Sequence, residues 1–210
     1  MIQPAKVLAL DVDGVVLGDG QRAPWDEHIE RDLGISRSLS QSKLFAAYWH
    51  DAAIGLTSIR DGFEAAIKAE GIGLDVDELI AYWFKDDVRH VNTDVIHEAL
   101  VWRQVCGGRL FLATNQEALR AAHLWDGVGL RAHFDGMLAS CKLGATKPDA
   151  KFYAAADDVM GTSEPSEVFF IDDSAENVAA ALAHGWQAVQ ATGETEVVAA
   201  IQKLVAETES

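Results

Sequence analysis

Hydrophobic positions follow two rhythms along this chain, and the change from one to the other divides it. Near the N-terminus, Val7-Leu8-Ala9-Leu10-Asp11-Val12-Asp13-Gly14-Val15 is an apolar run punctuated only towards its end, by two carboxylates. Such a run, rich in Val and Leu, predicts a strand buried on both faces with Asp11 and Asp13 at its carboxyl end. Side chains alternate along a strand, so the two acids are expected to point the same way. They would then repel, unless one holds a proton or a metal answers both. Gly14 lets the backbone turn sharply out of the sheet.

After the Gly18-Asp19-Gly20 turn and Pro24, apolar residues return at helical spacing: Ile29 and Leu33, Leu44, Ala47 and Tyr48, Ile59, Phe63 and Ile67, then Leu79, Tyr82 and Trp83. Nothing in this stretch alternates like a strand. Breaks at Gly34, Gly55 and Gly71-Ile72-Gly73 predict about four short helices, with Asp75 and Glu78 spaced like a capping box. Residues 19–91 therefore read as a helical insertion, a second small domain within a core formed by 1–18 and 92–210. It is rich in aromatics: Trp25, Tyr48, Trp49, Tyr82, Trp83 and Phe84. Large apolar side chains at helical spacing are ordinarily core, so most of these are expected inside the bundle, with one or two facing the acid pair. His50, Arg60, Lys85 and Arg89 are the segment's candidate polar contacts.

The strand rhythm resumes after a helix from Thr93 to about Val105. Arg109–Ala113 is a short buried strand ending in Thr114-Asn115, followed by a helix to about Trp125. Gly136–Ala139 leads to Ser140, a helix runs from Pro148 to about Met160, and Val168–Ile171 ends in Asp172-Asp173-Ser174. A helix capped by Ser174, a strand from Trp186 to Gln190, and a last helix with Val197, Val198, Ile201, Leu204 and Val205 on one face complete the pattern. Strands alternating with helices predict an α/β fold, a Rossmann-like parallel sheet with helices on both faces. Ligands of such sheets bind outside the carboxyl ends of the strands. That rule gathers Asp11, Asp13, Thr114, Asn115, Asp172 and Asp173 into one place. Lys147 joins them from a loop, where Pro148 biases it towards an extended backbone.

Composition narrows the partners. A formal charge of -16 over 210 residues disfavours nucleic acid and anionic membranes. A small phosphorylated substrate would need a local positive site. Cys106 and Cys141 are the only cysteines and have no metal-like spacing, so a reducing, cytoplasmic compartment is expected. No stretch is long and apolar enough to span a bilayer, and the N-terminal run, being a strand that contains carboxylates, does not read as a signal peptide.

The set Asp11-Val-Asp-Gly-Val15, Thr114-Asn115, Ser140 through Gly144 to Lys147-Pro148-Asp149, and Phe170-Ile-Asp-Asp-Ser174 with Asn177 resembles the haloacid dehalogenase superfamily. The likeness is to phosphatase-type members with a helical cap inserted after the first motif. It covers the core from end to end. The dehalogenase members lack the second acid of the first motif, present here as Asp13, so the resemblance implies phosphoryl transfer. It implies Asp11 as nucleophile, Asp13 as general acid and base, and Lys147 with Thr114 and the Asn115 backbone on the phosphoryl oxygens. It further implies magnesium (Mg2+) held by Asp11, the Asp13 carbonyl and Asp173, with Asp172 direct or through water. The charges agree: three ionised acids and a phosphate dianion carry about -5, against about +3 from magnesium and Lys147, so Asp13 is expected to be protonated when substrate binds. The expected activity is magnesium-dependent hydrolysis of a small phosphate monoester, a phosphorylated metabolite, through an aspartyl-phosphate. A phosphomutase and a non-catalytic phosphate- or protein-binding module on the same fold are the alternatives.

Overall fold

The computed structural model describes residues 5–18 and 24–208. Five parallel strands, β1 (Val7–Leu10), β2 (Arg109–Thr114), β3 (Gly136–Ala139), β4 (Val168–Asp172) and β5 (Gln187–Gln190), lie in the order β3-β2-β1-β4-β5. β1 is central, with Val7 opposite Arg109 on one side and Val168 on the other. Its four residues are all buried, and their alternation distributes them between two cores. Leu8 and Leu10 join Leu110, Leu112, Ile171 and Trp102 on one face. Val7 and Ala9 join Phe111, Ala113, Phe152, Tyr153 and Phe170 on the other.

Between β1 and β2 the described residues form helices joined by turns. α1 (Ile29–Leu33) ends at Gly34, and α2 (Arg37–Leu39) continues through a π-helical turn (Ser40–Phe45) into α3 (Ala46–Ala53). α4 (Ile59–Ala69) and α5 (Val76–Phe84) follow, capped by Ser58 and Asp75. A 3-10 turn (Asp87–His90) leads back to the sheet through α6 (Thr93–Cys106). This segment has an apolar cluster of its own around Ile29, Leu44, Phe63, Leu79 and Trp83. Residues 19–23, where the sequence expects the turn into it, lie outside the described residues.

The stretches of chain leading into and out of the segment are tied together. Leu17 pairs antiparallel with Val91, Gly18 N–H donates to the His90 carbonyl, and Asn92 N–H donates to Val16. The Asn92 side-chain amide donates to the carbonyls of both Val15 and Gly18, each at 2.7 Å. The remaining helices are α7 (Ala118–Ala122), α8 (Ser140–Leu143), α9 (Ala150–Met160), α10 (Ala175–His184) and α11 (Glu194–Thr208). Among the described residues no helix is long and apolar enough to cross a membrane.

Two local expectations are corrected. β1 ends at Leu10 and does not run to Val15. Asp11 Oδ1 captures the Val12 N–H at 2.7 Å, and Gly14, at φ +88°, folds residues 12–17 into a compact turn closed by Gly14 N–H to Leu17 and Leu17 N–H to Val12. The helix after Asn115 is α for only five residues and becomes a π-helical turn over His123–Gly127.

Candidate active site

The carboxyl ends of the three central strands deliver Asp11, Thr114-Asn115 and Asp172-Asp173 to one edge of the sheet. Lys147 is the hub between them. Its ammonium donates to the Ala113 carbonyl at 2.7 Å and to Asp172 Oδ2 at 2.6 Å, and lies 2.9 Å from Asp11 Oδ1. An ammonium has three donors, so it is fully used, and it is 4% exposed. Asn115 fixes the lysine's backbone, accepting from Lys147 N–H at 2.8 Å and donating to its carbonyl at 2.9 Å. Asp172, wholly buried, also accepts from Ser174 N–H at 2.8 Å and from the Asn177 amide at 3.0 and 3.1 Å. Thr114 is buried at the last position of β2.

Asp11, Asp172 and Asp173 bring carboxylate oxygens within 4.8 Å of one another. One ammonium cannot neutralise three acids. Burial, reinforced by Asp172 and only partly offset by Lys147, pushes Asp11 up to about 7. Burial and Asp172 likewise raise Asp173. For Lys147 burial works downward, but Asp11 and Asp172 overcome it and hold the ammonium above the ordinary lysine value. Such a frustrated, oxygen-only donor set fits a hard divalent cation of the magnesium type. The backbone allows no crowding there: a Cβ on Gly14 would stand 2.4 Å from Asp173 Oδ2.

Asp13 does not pair with Asp11 as two rungs of one strand, because the strand has already ended. Its carboxylate is gripped by Arg120, Nη1 to Oδ2 and Nη2 to Oδ1, each at 2.7 Å, and by Gln116 Nε2 at 2.6 Å. Arg120 is 6% exposed and also bonds the buried Asp87 at 3.2 and 3.3 Å. Burial would lower this guanidinium, but Asp13 and Asp87 hold it above the usual arginine value. A two-pronged arginine contact favours the ionised carboxylate. Arg120, Gln116 and Asp87 are the polar residues that sequence reasoning missed. The available signal was an arginine in the helix that directly follows the Thr114-Asn115 strand end.

A profile of haloacid dehalogenase-like hydrolases matches residues 5–185. The chain belongs to that family. This haloacid dehalogenase-like hydrolase is similar in fold to a HAD family enzyme of Bacteroides thetaiotaomicron, solved as a magnesium complex (TM-score 0.73, 18% identity, 91% of this chain and 95% of that one). The same enzyme with magnesium and inorganic phosphate gives a TM-score of 0.68 at 18% identity, over 90% of this chain and 95% of that one. L-2-haloacid dehalogenase of Xanthobacter autotrophicus gives 0.59 at 18% identity, over 89% and 77% of the two chains. A curated relative, bifunctional epoxide hydrolase 2 of Sus scrofa, is 33% identical over 88 residues, 40% of this chain. That match spans only 16% of the pig protein's length.

In this haloacid dehalogenase-like hydrolase a cavity of about 350 Å³ opens beside Asp13. Asn115, Gln116, Arg120, Asp13 and Asp87 form its polar side, and Pro24, Trp25, Phe45, Trp49 and Trp83 its apolar side. Three of the aromatics singled out in the sequence thus line the cavity, and Phe45 joins them. Tyr48, Tyr82 and Phe84 do not. None of the cationic candidates in the helical segment lines it either: Arg60 pairs with Asp77, Lys85 with Asp32, Arg89 with Asp86, and His50 is exposed. Among the described residues, the cation that lines the cavity comes from the core, as Arg120.

Proposed function

We propose that this hydrolase is a magnesium-dependent phosphohydrolase, cleaving a small intracellular phosphate monoester through a phospho-Asp11 intermediate. One observation carries the reading: Asp11, held by Lys147 and the Val12 N–H at the end of the central strand, shares a cluster with Asp172 and Asp173. A carboxylate attacks a phosphate dianion only where positive charge offsets their repulsion. Magnesium held by Asp11, the Asp13 carbonyl and Asp173, with Asp172 direct or through water, would supply that charge. Lys147 fixes the Asp11 oxygen for attack and adds positive charge near the phosphoryl group, with Thr114 and the Asn115 backbone on its oxygens. Residues 19–91 we assign as the cap over this site, within a core of 1–18 and 92–210.

Asp13 distinguishes the reading from carbon–halogen cleavage. Gripped by Arg120, it is poised as a carboxylate to take the proton of the water that attacks phospho-Asp11. As general acid it must first accept a proton, against the pull of the guanidinium.

Phosphate release from nitrophenyl phosphate with magnesium tests the assignment. Asp11→Asn should abolish it with the fold intact, and EDTA should abolish it reversibly. Asp13→Asn should give a stoichiometric burst of nitrophenol and then nearly stop, because the second step lacks its base. Wild-type turnover by the Asp11→Asn protein would overturn the reading.

A further inference from the structure

The cavity beside Asp13 has two unlike sides. On the polar side the groups are already engaged with one another. Arg120 spans Asp13 and Asp87, Gln116 Nε2 donates to Asp13, and both ends of the Asn115 amide are bonded to Lys147. Gln116 Oε1 alone stands as a buried acceptor without a partner among these. The opposite side is a nest of rings. Phe45 lies 4.8 Å from both Trp25 and Trp83 and 6.2 Å from Trp49, in tilted and edge-on arrangements. Beyond indole N–H groups, the described residues of this wall have no hydrogen bond to offer.

A ligand rich in hydroxyls would give up water here and find few partners in return, which is unfavourable. A bare ring would bury apolar surface and meet its neighbours in the offset and edge-on geometries that aromatic pairs prefer. The size agrees, since a cavity of about 150 Å³ holds benzene, and this one, at about 350 Å³, leaves room for the atoms joining a ring to the phosphoryl group.

We propose, resting on the phosphohydrolase reading above, that the substrate is the phosphate monoester of a hydroxyl-poor aromatic alcohol, its ring seated against Trp25, Phe45, Trp49 and Trp83. The reaction balances as a simple hydrolysis. The bond from phosphorus to the alcohol oxygen breaks as Asp11 bonds to phosphorus, water then displaces Asp11, and the protons of that water end on the alcohol and the phosphate.

Three esters of primary alcohols test it: benzyl phosphate, cyclohexylmethyl phosphate and a hexose 6-phosphate. Ring size and the attachment of the leaving oxygen are alike, so the ring's character is the main variable. The KM for benzyl phosphate should be at least tenfold below that for the hexose phosphate and severalfold below that for the cyclohexyl ester. Trp49→Ala, and separately Trp25→Ala, should narrow both ratios, with circular dichroism reporting the fold. Independently, benzyl phosphate should quench the tryptophan fluorescence of the Asp11→Asn protein at concentrations where the hexose phosphate does not. An equal or lower KM for the hexose phosphate would overturn the proposal while phosphate release kept the phosphohydrolase reading. Equal values for the benzyl and cyclohexyl esters would overturn the aromatic preference. Release from none of the three, nor from nitrophenyl phosphate, would remove the phosphohydrolase reading and this proposal with it.

Discussion

Asp11 carries a proton further up the pH scale than an exposed aspartate would, and that has a measurable effect on stability. An unfolded chain releases this proton near 3.8, and the folded protein releases it near 7. Between those values the native state binds more protons, so the group's contribution is fully present below 3.8 and is lost as pH rises towards 7. At about 1.4 kcal/mol per pKa unit the full effect is about 4 kcal/mol. In metal-free protein, the Tm of Asp11→Asn relative to wild type should therefore climb by several degrees between pH 4 and 7 and then level off. The slope carries the information, and an offset independent of pH would mean that Asp11 titrates normally. The acids at strand ends were legible in the sequence because a buried apolar run that stops at a carboxylate can be read locally. Arg120 was not. Its partners Asp13 and Asp87 lie 107 and 33 residues away, and only the folded chain brings them together.

At the level of elements, the alternating sheet was legible because Val7 and Ala9 against Leu8 and Leu10 already divide between two faces. The end of β1 was not, since it depends on the Asp11 side chain taking the Val12 N–H. The cavity wall was legible only in part. Trp25, Phe45, Trp49 and Trp83 come from a loop, a π-helical turn, α3 and α5, so no single helical face announces them. The α3–α4 turn offers a sharper test. Gly55, at φ +76°, sits so close to α8 that an added Cβ would stand 2.2 Å from the Cys141 carbonyl oxygen. Gly34, at φ +71°, has open space around it. Both Gly→Ala variants incur the strain of a left-handed backbone, about 1–2 kcal/mol. Only Gly55→Ala must also displace the turn, adding about 1–3 kcal/mol. Urea denaturation should rank the two in that order, and equal losses would mean that the helical segment yields at this contact without cost.

At the scale of the whole molecule, the two apolar clusters of the sheet contain, among the described residues, none between Leu17 and Val91, and the helical segment's own cluster is centred on residues 29–83. Its return strand lies beside its departure strand, with Gly18 bonded to His90. Replacing residues 19–89 by Asn-Gly would join those strands through a two-residue hairpin, a connection that the antiparallel pairing of Leu17 and Val91 suits. The shortened protein should melt cooperatively and lose the ranking of benzyl over hexose phosphate. A chain that kept that ranking would locate specificity in the sheet and its loops. The amide of Asn92, clasping the carbonyls of Val15 and Gly18, then acquires a meaning in inheritance. Because the two ends adjoin in the fold, recombination at both could exchange everything between them without moving the flanking chain. On the proposed assignment of that insert as the cap, a different insert would bring a different substrate wall to the same cleaving residues.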